Sequence, residues 1–286
     1  MPSRQDPGSS VDLLVPQDVA RACEAAGLRK ASLPAPKLYM LAVLAGAFIA
    51  LGAMFFTVVT TGSVGGFGPT RMLGGLAFSL GLILVVLAGA ELFTGNTMMV
   101  MAVAARRLSV GNMLRTWAIV YAGNFTGAIA TAVLVRLSGH WEQGQAAVGG
   151  NAIRVAVLKA DLSWTEALLL GVLCNALVAL AIWLSLSARS FEGKLLAIIF
   201  PVTAFITAGF ENSIANMYFI PMGIMLRGEP SAVEASGLPA ATVAELSWLD
   251  FAANLMPVTV GNILGGTVLI WGVYWVIYLW RADDRA

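Results

Sequence analysis

Six stretches of the chain run apolar long enough to cross a bilayer: about 38–61, 72–105, 116–135, 167–188, 195–226 and 251–280. A hydrocarbon core of roughly 30 Å takes about 20 helical residues, so the pattern predicts six crossings. The second and fifth stretches run to about 34 and 32 residues. As continuous helices they would reach roughly 50 Å, more than tilt absorbs, so each must be interrupted. The polar positions show where. One carboxylate falls near the middle of each, Glu91 in AGAELFTGNTMM and Glu211 in AGFENSIANMYF, with glycine, threonine, asparagine and serine beside it. Thr94, Gly95, Asn96, Asn212 and Ser213 are weak helix-interior residues and good helix starts. Non-helical backbone at membrane depth is tolerated only where protein or a water-filled cavity satisfies it, so the two breaks are expected to line one internal path.

A repeat accompanies the breaks. The third stretch carries GNFTG at 123–127 and the sixth GNILG at 261–265. An odd count of three spans per half forces the second half to insert upside down, which predicts an inverted repeat. Small residues at this spacing also let helices pack closely, but packing gives no reason for the asparagine. With both termini inside, twelve of the seventeen lysines and arginines fall on the cytoplasmic side, in keeping with the positive-inside rule. The expected organisation is a cytoplasmic tail over 1–36 with a short amphipathic helix near 15–26, a membrane domain over 37–281, and a cytoplasmic tail over 282–286. The amino-terminal MPSRQDPGSS lacks the apolar core of a signal peptide.

Composition adds the exclusions. The chain is 58% hydrophobic and 12% charged, against roughly a quarter charged in a soluble domain. A net charge of +1 with no basic stripe leaves nucleic acid out as a partner. Cys23 and Cys174 lie in unlike surroundings, and His140 stands alone in the loop after the third span, so disulfide, metal and cofactor chemistry have no ligand set. An enzyme would need a nucleophile, base or metal cluster within the spans, which one outlying histidine and two separated carboxylates do not provide. The glycine-rich TGSVGGFGPTR has no following Gly-Lys-Ser/Thr and is not a phosphate loop.

Four segments together, AGAELFTGN (88–96), LCNALV (173–178), FENSIANMYFIPMGI (210–224) and NLMPVTVGNILGG (254–266), resemble the formate/nitrite transporter family. The likeness runs in order over nearly the whole chain from about residue 15. It implies an all-α integral membrane protein with six transmembrane helices in two inverted three-helix repeats, aquaporin-like, helices two and five broken, assembled as a homopentamer with one pore per subunit. It also implies roles. Phe78 and Phe205 match the aromatic gate toward the periplasm. Leu82, Leu92 and Phe93 match the cytoplasmic constriction, the last two on the loop that breaks span two. Thr94, on the same loop, matches a threonine whose hydroxyl faces the pore centre. Lys159, ahead of span four, matches the basic residue that attracts anions. Asn175, Asn216 and Asn262 match polar residues around the breaks, while Glu91 and Glu211 are taken as structural supports there. Asn212 departs from the pattern, since most members carry histidine at this place. An asparagine donates and accepts hydrogen bonds but gives up no proton, so relay through it is not expected.

The function expected is therefore a channel or transporter for small monovalent anions in the inner (plasma) membrane, formate first, with any proton taken from bulk water. Nitrite or hydrosulfide is the alternative on the same fold. A water or glycerol pore is a remoter one, since the paired Asn-Pro-Ala loops of such pores are absent.

Overall fold

The computed structural model describes residues 13–62 and 65–280, which are helical with no strand among them. Most of the expected amino-terminal tail before the amphipathic helix, and the expected tail at 282–286, lie outside the described residues. The elements are α1 (Pro16–Ala31), α2 (Ala35–Thr60), α3 (Phe67–Leu87), α4 (Phe93–Ala104), α5 (Val110–Leu137), α6 (Ala147–Ala160), α7 (Trp164–Ser187), α8 (Phe191–Thr207), α9 (Ser213–Leu226), α10 (Pro230–Ser236), α11 (Ala240–Glu245) and α12 (Trp248–Tyr278). Helices α2, α3, α5, α7 and α12 are long and apolar enough to cross a membrane, whereas α4 and α9 are shorter apolar segments. Spans two and five are thus α3 with α4 and α8 with α9, interrupted where predicted.

Local chemistry explains each interruption. Gly89 and Gly209 take φ of 80° and 79°, a left-handed backbone that glycine reaches without cost and that ends helices. The amides of Ala90 and Phe210 then donate back to the carbonyls of Val85 and Phe205, both at 2.9 Å. This is the helix-ending loop in which a residue beyond the glycine closes on the last turn. After three extended residues the chain turns helical again.

The repeat extends further than three spans per half. Helix α1 precedes the first three spans as α6 precedes the second three, so each unit is one shorter helix followed by three crossings. Within a unit the first and third spans lie against each other, α2 on α5 and α7 on α12. The GNxxG glycines permit that approach. A Cβ on Gly127 would stand 1.9 Å from the Val43 carbonyl oxygen and one on Gly265 2.0 Å from that of Val172. Helices α3 and α8, one from each unit, cross the centre against each other. In α12 the stretch Gly265–Gly272 widens into a π-helix, a form common at functional places. It brings the buried Trp271 indole N–H to Thr97 Oγ1 at 3.0 Å.

A candidate conduction pathway

Two cavities open from opposite ends toward the breaks. One, of about 170 Å³, is lined by Lys159, Arg71, Glu211, Gly209, Ile206 and Phe219 among others. Its counterpart, of about 190 Å³, is lined by Lys30, Glu91, Asn96, Leu82, Val85 and Leu92 among others. Helix α3 passes both: Arg71 faces the Lys159 vestibule, Leu82 and Val85 the Lys30 vestibule, and Phe78 lies between them along the helix.

At the inner end of each vestibule the broken backbone is held the same way. Asn124, from GNFTG, accepts at Oδ1 from the Phe93 amide at 2.9 Å and donates from Nδ2 to the carbonyls of Glu91 (2.9 Å) and Ala42 (2.8 Å). Asn262, from GNILG, accepts from the Ser213 amide at 2.9 Å and donates to Glu211 O (2.9 Å) and Gly171 O (2.8 Å). A carboxamide matches a peptide group in donors and acceptors, so each asparagine replaces the partners that the break removes. A buried backbone group left unpaired would cost about 1–3 kcal/mol. Both amide hydrogens of Asn262 are therefore engaged by backbone.

The two carboxylates are not isolated. Glu91 accepts from Lys30 Nζ at 2.7 Å and from Asn96 Nδ2 at 3.0 Å. Glu211 accepts from Lys159 Nζ at 2.7 Å and from Asn216 Nδ2 at 2.6 Å. These are two copies of one lysine–glutamate–asparagine triad. Lys159 lies in the last turn of α6, ahead of span four as expected, 16% exposed over a Glu211 only 5% exposed. Its ammonium sits 5.3 Å above the Phe219 ring. Asn254 fixes the arrangement by accepting from Asn216 (2.8 Å) and donating to the Lys159 carbonyl (2.8 Å).

The predicted constrictions are brought together in part. Phe78 and Phe205, both 2% exposed, meet edge to face at 6.0 Å, and Phe219 stacks on Phe78 at 6.4 Å. Leu82 and Leu92 line the Lys30 vestibule. Phe93 is not among the residues lining either vestibule. Its ring packs at 4.9 Å on Tyr121 and 5.9 Å on Trp117, beside an apolar groove between α5 and α12. Leu92 is the last extended residue of the break, while Phe93 and Thr94 already open α4 and are not on the loop.

Asn212 is the amino-terminal cap of α9. Its Oδ1 accepts from the amides of Ile214 (3.0 Å) and Ala215 (3.2 Å), leaving the amide nitrogen to donate. Leu92, at the matching place before α4, has no side-chain acceptor, so the side-chain acceptor at that helix start is Asn124, on the Phe93 amide. Around the breaks, the buried Thr94 Oγ1, Ser213 Oγ, Asn96 Oδ1, Asn175 Oδ1 and Asn216 Oδ1 have no protein partner. Asn175 itself donates to Asn262 O at 2.6 Å and Thr94 O at 3.3 Å, tying the two breaks. Buried polar groups cluster without partners where water or a passing solute serves them.

Lys30, Asn124, Asn254, Phe219 and Arg71 belong to the site as well, although the sequence motifs assign them no role in it. Lys30 was the most legible. It closes the amphipathic helix ahead of the first unit as Lys159 closes that ahead of the second.

A family model for the formate/nitrite transporter matches residues 17–276. The chain belongs to the formate/nitrite transporter family. Within this family it is 41% identical over 278 residues to the formate channel FocA of Escherichia coli strain K12, covering 96% of this chain and 97% of that one. A probable formate transporter of Methanothermobacter thermautotrophicus is 36% identical over 282 residues, covering 92% and 97%. A solved pentameric formate channel with formate bound superposes with a TM-score of 0.80 at 40% identity, covering 86% of this chain and 98% of that one. Membership in the formate/nitrite transporter family makes this an integral membrane transport protein, in agreement with its apolar spans.

Proposed function

We propose that the chain assembles as a homopentamer in the inner (plasma) membrane and that each subunit conducts a small monovalent anion, formate first, between the two vestibules. Both termini are placed in the cytoplasm, which makes the Lys159 vestibule periplasmic and the Lys30 vestibule cytoplasmic. The observation that carries the reading is the mirrored arrangement of two cation-bearing vestibules converging on buried, unpartnered polar atoms. The family's named formate channels support the substrate, and the formate-bound pentamer supports the assembly.

The physical task is to bring an anion past two apolar rings. Moving a bare carboxylate into low dielectric costs on the order of 20 kcal/mol in the ideal Born limit and several kcal/mol after relaxation. Lys159 and Lys30 offset part of this at the mouths. At the centre the first turn of α4, beyond the Phe93 amide that Asn124 engages, turns its positive end to an anion, with the Thr94 hydroxyl and the Asn212 amide nitrogen as further donors. Asn212 holds no transferable proton, so any proton that accompanies the anion comes from bulk water. No group in this pathway is assigned bond-making chemistry, and the protein is read as a conduit and not an enzyme.

The experiment is uptake of labelled formate into proteoliposomes across pH 5 to 8, with Asn212→His alongside. Wild type is expected to respond weakly and the histidine variant to change around a pKa near 6.5. An equally steep wild-type profile would refute the role given to Asn212. Nitrite is the second reading, favoured by the same donors, and a parallel uptake series with nitrite and hydrosulfide decides between them.

A further inference from the structure

The two vestibules share the lysine–glutamate pair but differ in net charge. The Lys30 vestibule holds one lysine and one glutamate and so has no net charge. The Lys159 vestibule holds the matching pair and Arg71 in addition. The offset that carries Glu91 to Glu211 carries Arg71 to Phe191, so the repeat supplies no second arginine on the other side.

Arg71 has a defined place in the vestibule wall. It leaves the first turns of α3, lies against the Phe67 ring at 5.7 Å, and brings Nη2 to 2.7 Å from where a Cβ on Gly209 would stand. A side chain at this position would push the guanidinium away from the break. Among the described residues it forms no ion pair, and its buried Nε has no hydrogen-bond partner. Glu211 attracts it electrostatically but pairs with Lys159 and Asn216.

A second observation lies beside it. Gly75, one turn further along α3, packs on the backbone of Thr203 in α8. The two helices cross antiparallel, so the turn of Arg71 meets the turn of Thr207. The hydroxyl oxygens of Thr203 and Thr207 are both buried without a partner. A cation with a free N–H, which lines the vestibule, and two unpaired hydroxyls thus belong to the same α3–α8 seam, next to Ile206 and Gly209 of the vestibule wall.

We infer that Arg71, with Thr207 beside it, forms an anion-capturing subsite that loads the pore from the Lys159 vestibule, and that the two mouths of the channel therefore load unequally. A guanidinium holds a carboxylate or nitrite through two parallel N–H donors, which a lysine does not. The inference rests on the anion-channel reading above. A passive pore must give equal flux in both directions at low concentration under symmetric conditions, so the asymmetry shows in saturation. Entry from the Lys159 side reaches half-maximum at a lower anion concentration than entry from the Lys30 side.

The test uses the purified pentamer in proteoliposomes of uniform orientation, with formate flux from each face as a function of concentration and ionic strength. Arg71→Gln is expected to raise the half-saturating concentration on the Lys159 face by about five- to tenfold at low salt and to remove most of its salt dependence. Arg71→Lys is expected to restore the salt dependence but not the full affinity, and Thr207→Val to produce a smaller rise. In parallel, sodium formate is titrated into the detergent-solubilised pentamer and the melting midpoint followed, which reads occupancy without transport. Wild-type half-saturation and wild-type stabilisation in Arg71→Gln would overturn the inference. Formate stabilisation that disappears in Arg71→Gln, in a protein that carries no anion, would uphold the subsite and refute the channel reading instead.

Discussion

Asn212 performs two tasks that a single substitution would confuse. Its oxygen caps α9 through Ile214 and Ala215, and its nitrogen, on the side chain that also meets the Cys174 thiol, is the donor proposed for the pathway. Asn212→Ala removes both and is expected to cost about 1 kcal/mol of stability as well as flux. Asn212→Asp keeps the capping oxygen but places a negative charge on the route of an anion. Its melting midpoint is expected to stay near wild type while formate flux falls at least tenfold, read in the same liposome assay. Retained flux in the aspartate variant would remove Asn212 from the path and leave it only as a cap. The asparagine at this place was legible in the sequence. Its capping geometry was not, because a residue after Phe-Glu becomes a cap only once the chain has broken before it.

Between elements, the two triads show what holds helices α1 and α6 to the breaks. Lys159 reaches from α6 to Glu211, and Lys30 from α1 to Glu91. Removing one member of a buried pair strands the other and costs about 3–5 kcal/mol, whereas removing both charges together is far better tolerated. Lys159→Met is therefore expected to lower the pentamer's melting midpoint strongly, and Lys159→Met with Glu211→Gln to recover most of it while Asn216 keeps its acceptor. If the ammonium serves the anion, the double variant regains stability without regaining flux. Recovery of both would confine Lys159 to a structural role. The interruptions of spans two and five were readable from length and from glycine beside a carboxylate. The lysines that answer those carboxylates were not equally readable, since they lie 61 and 52 residues away and no local pattern ties them to the breaks.

For the molecule in its membrane, orientation follows from charge, and cysteine labelling checks it. Cys23 and Cys174 are both buried. Burial pushes the Cys23 thiol up to about 12, so at pH 8 it stays protonated as well as covered, and background labelling is low. The exposed loop positions Ser138 and Arg189 fall on opposite sides of the proposed topology. A membrane-impermeant maleimide should label Ser138→Cys in intact cells and Arg189→Cys only in inverted vesicles. The reverse pattern would exchange the two vestibules and place Arg71 at the cytoplasmic mouth.

Hydrophobic length, the two mid-span carboxylates and the doubled GNxxG were enough to establish six crossings, two breaks and an inverted repeat. Each of those is a one-dimensional property, set by how many apolar residues the bilayer requires and by which residues a helix rejects. Tertiary structure alone decided which groups neutralise one another. It engaged Asn124 and Asn262 with the backbone, turned Phe93 onto Trp117 and Tyr121, paired both glutamates with lysines, and left Arg71 without an ion pair among the described residues. Net electrostatics at a pore depends on distances of a few ångströms between residues far apart in the chain, and folding alone sets those distances.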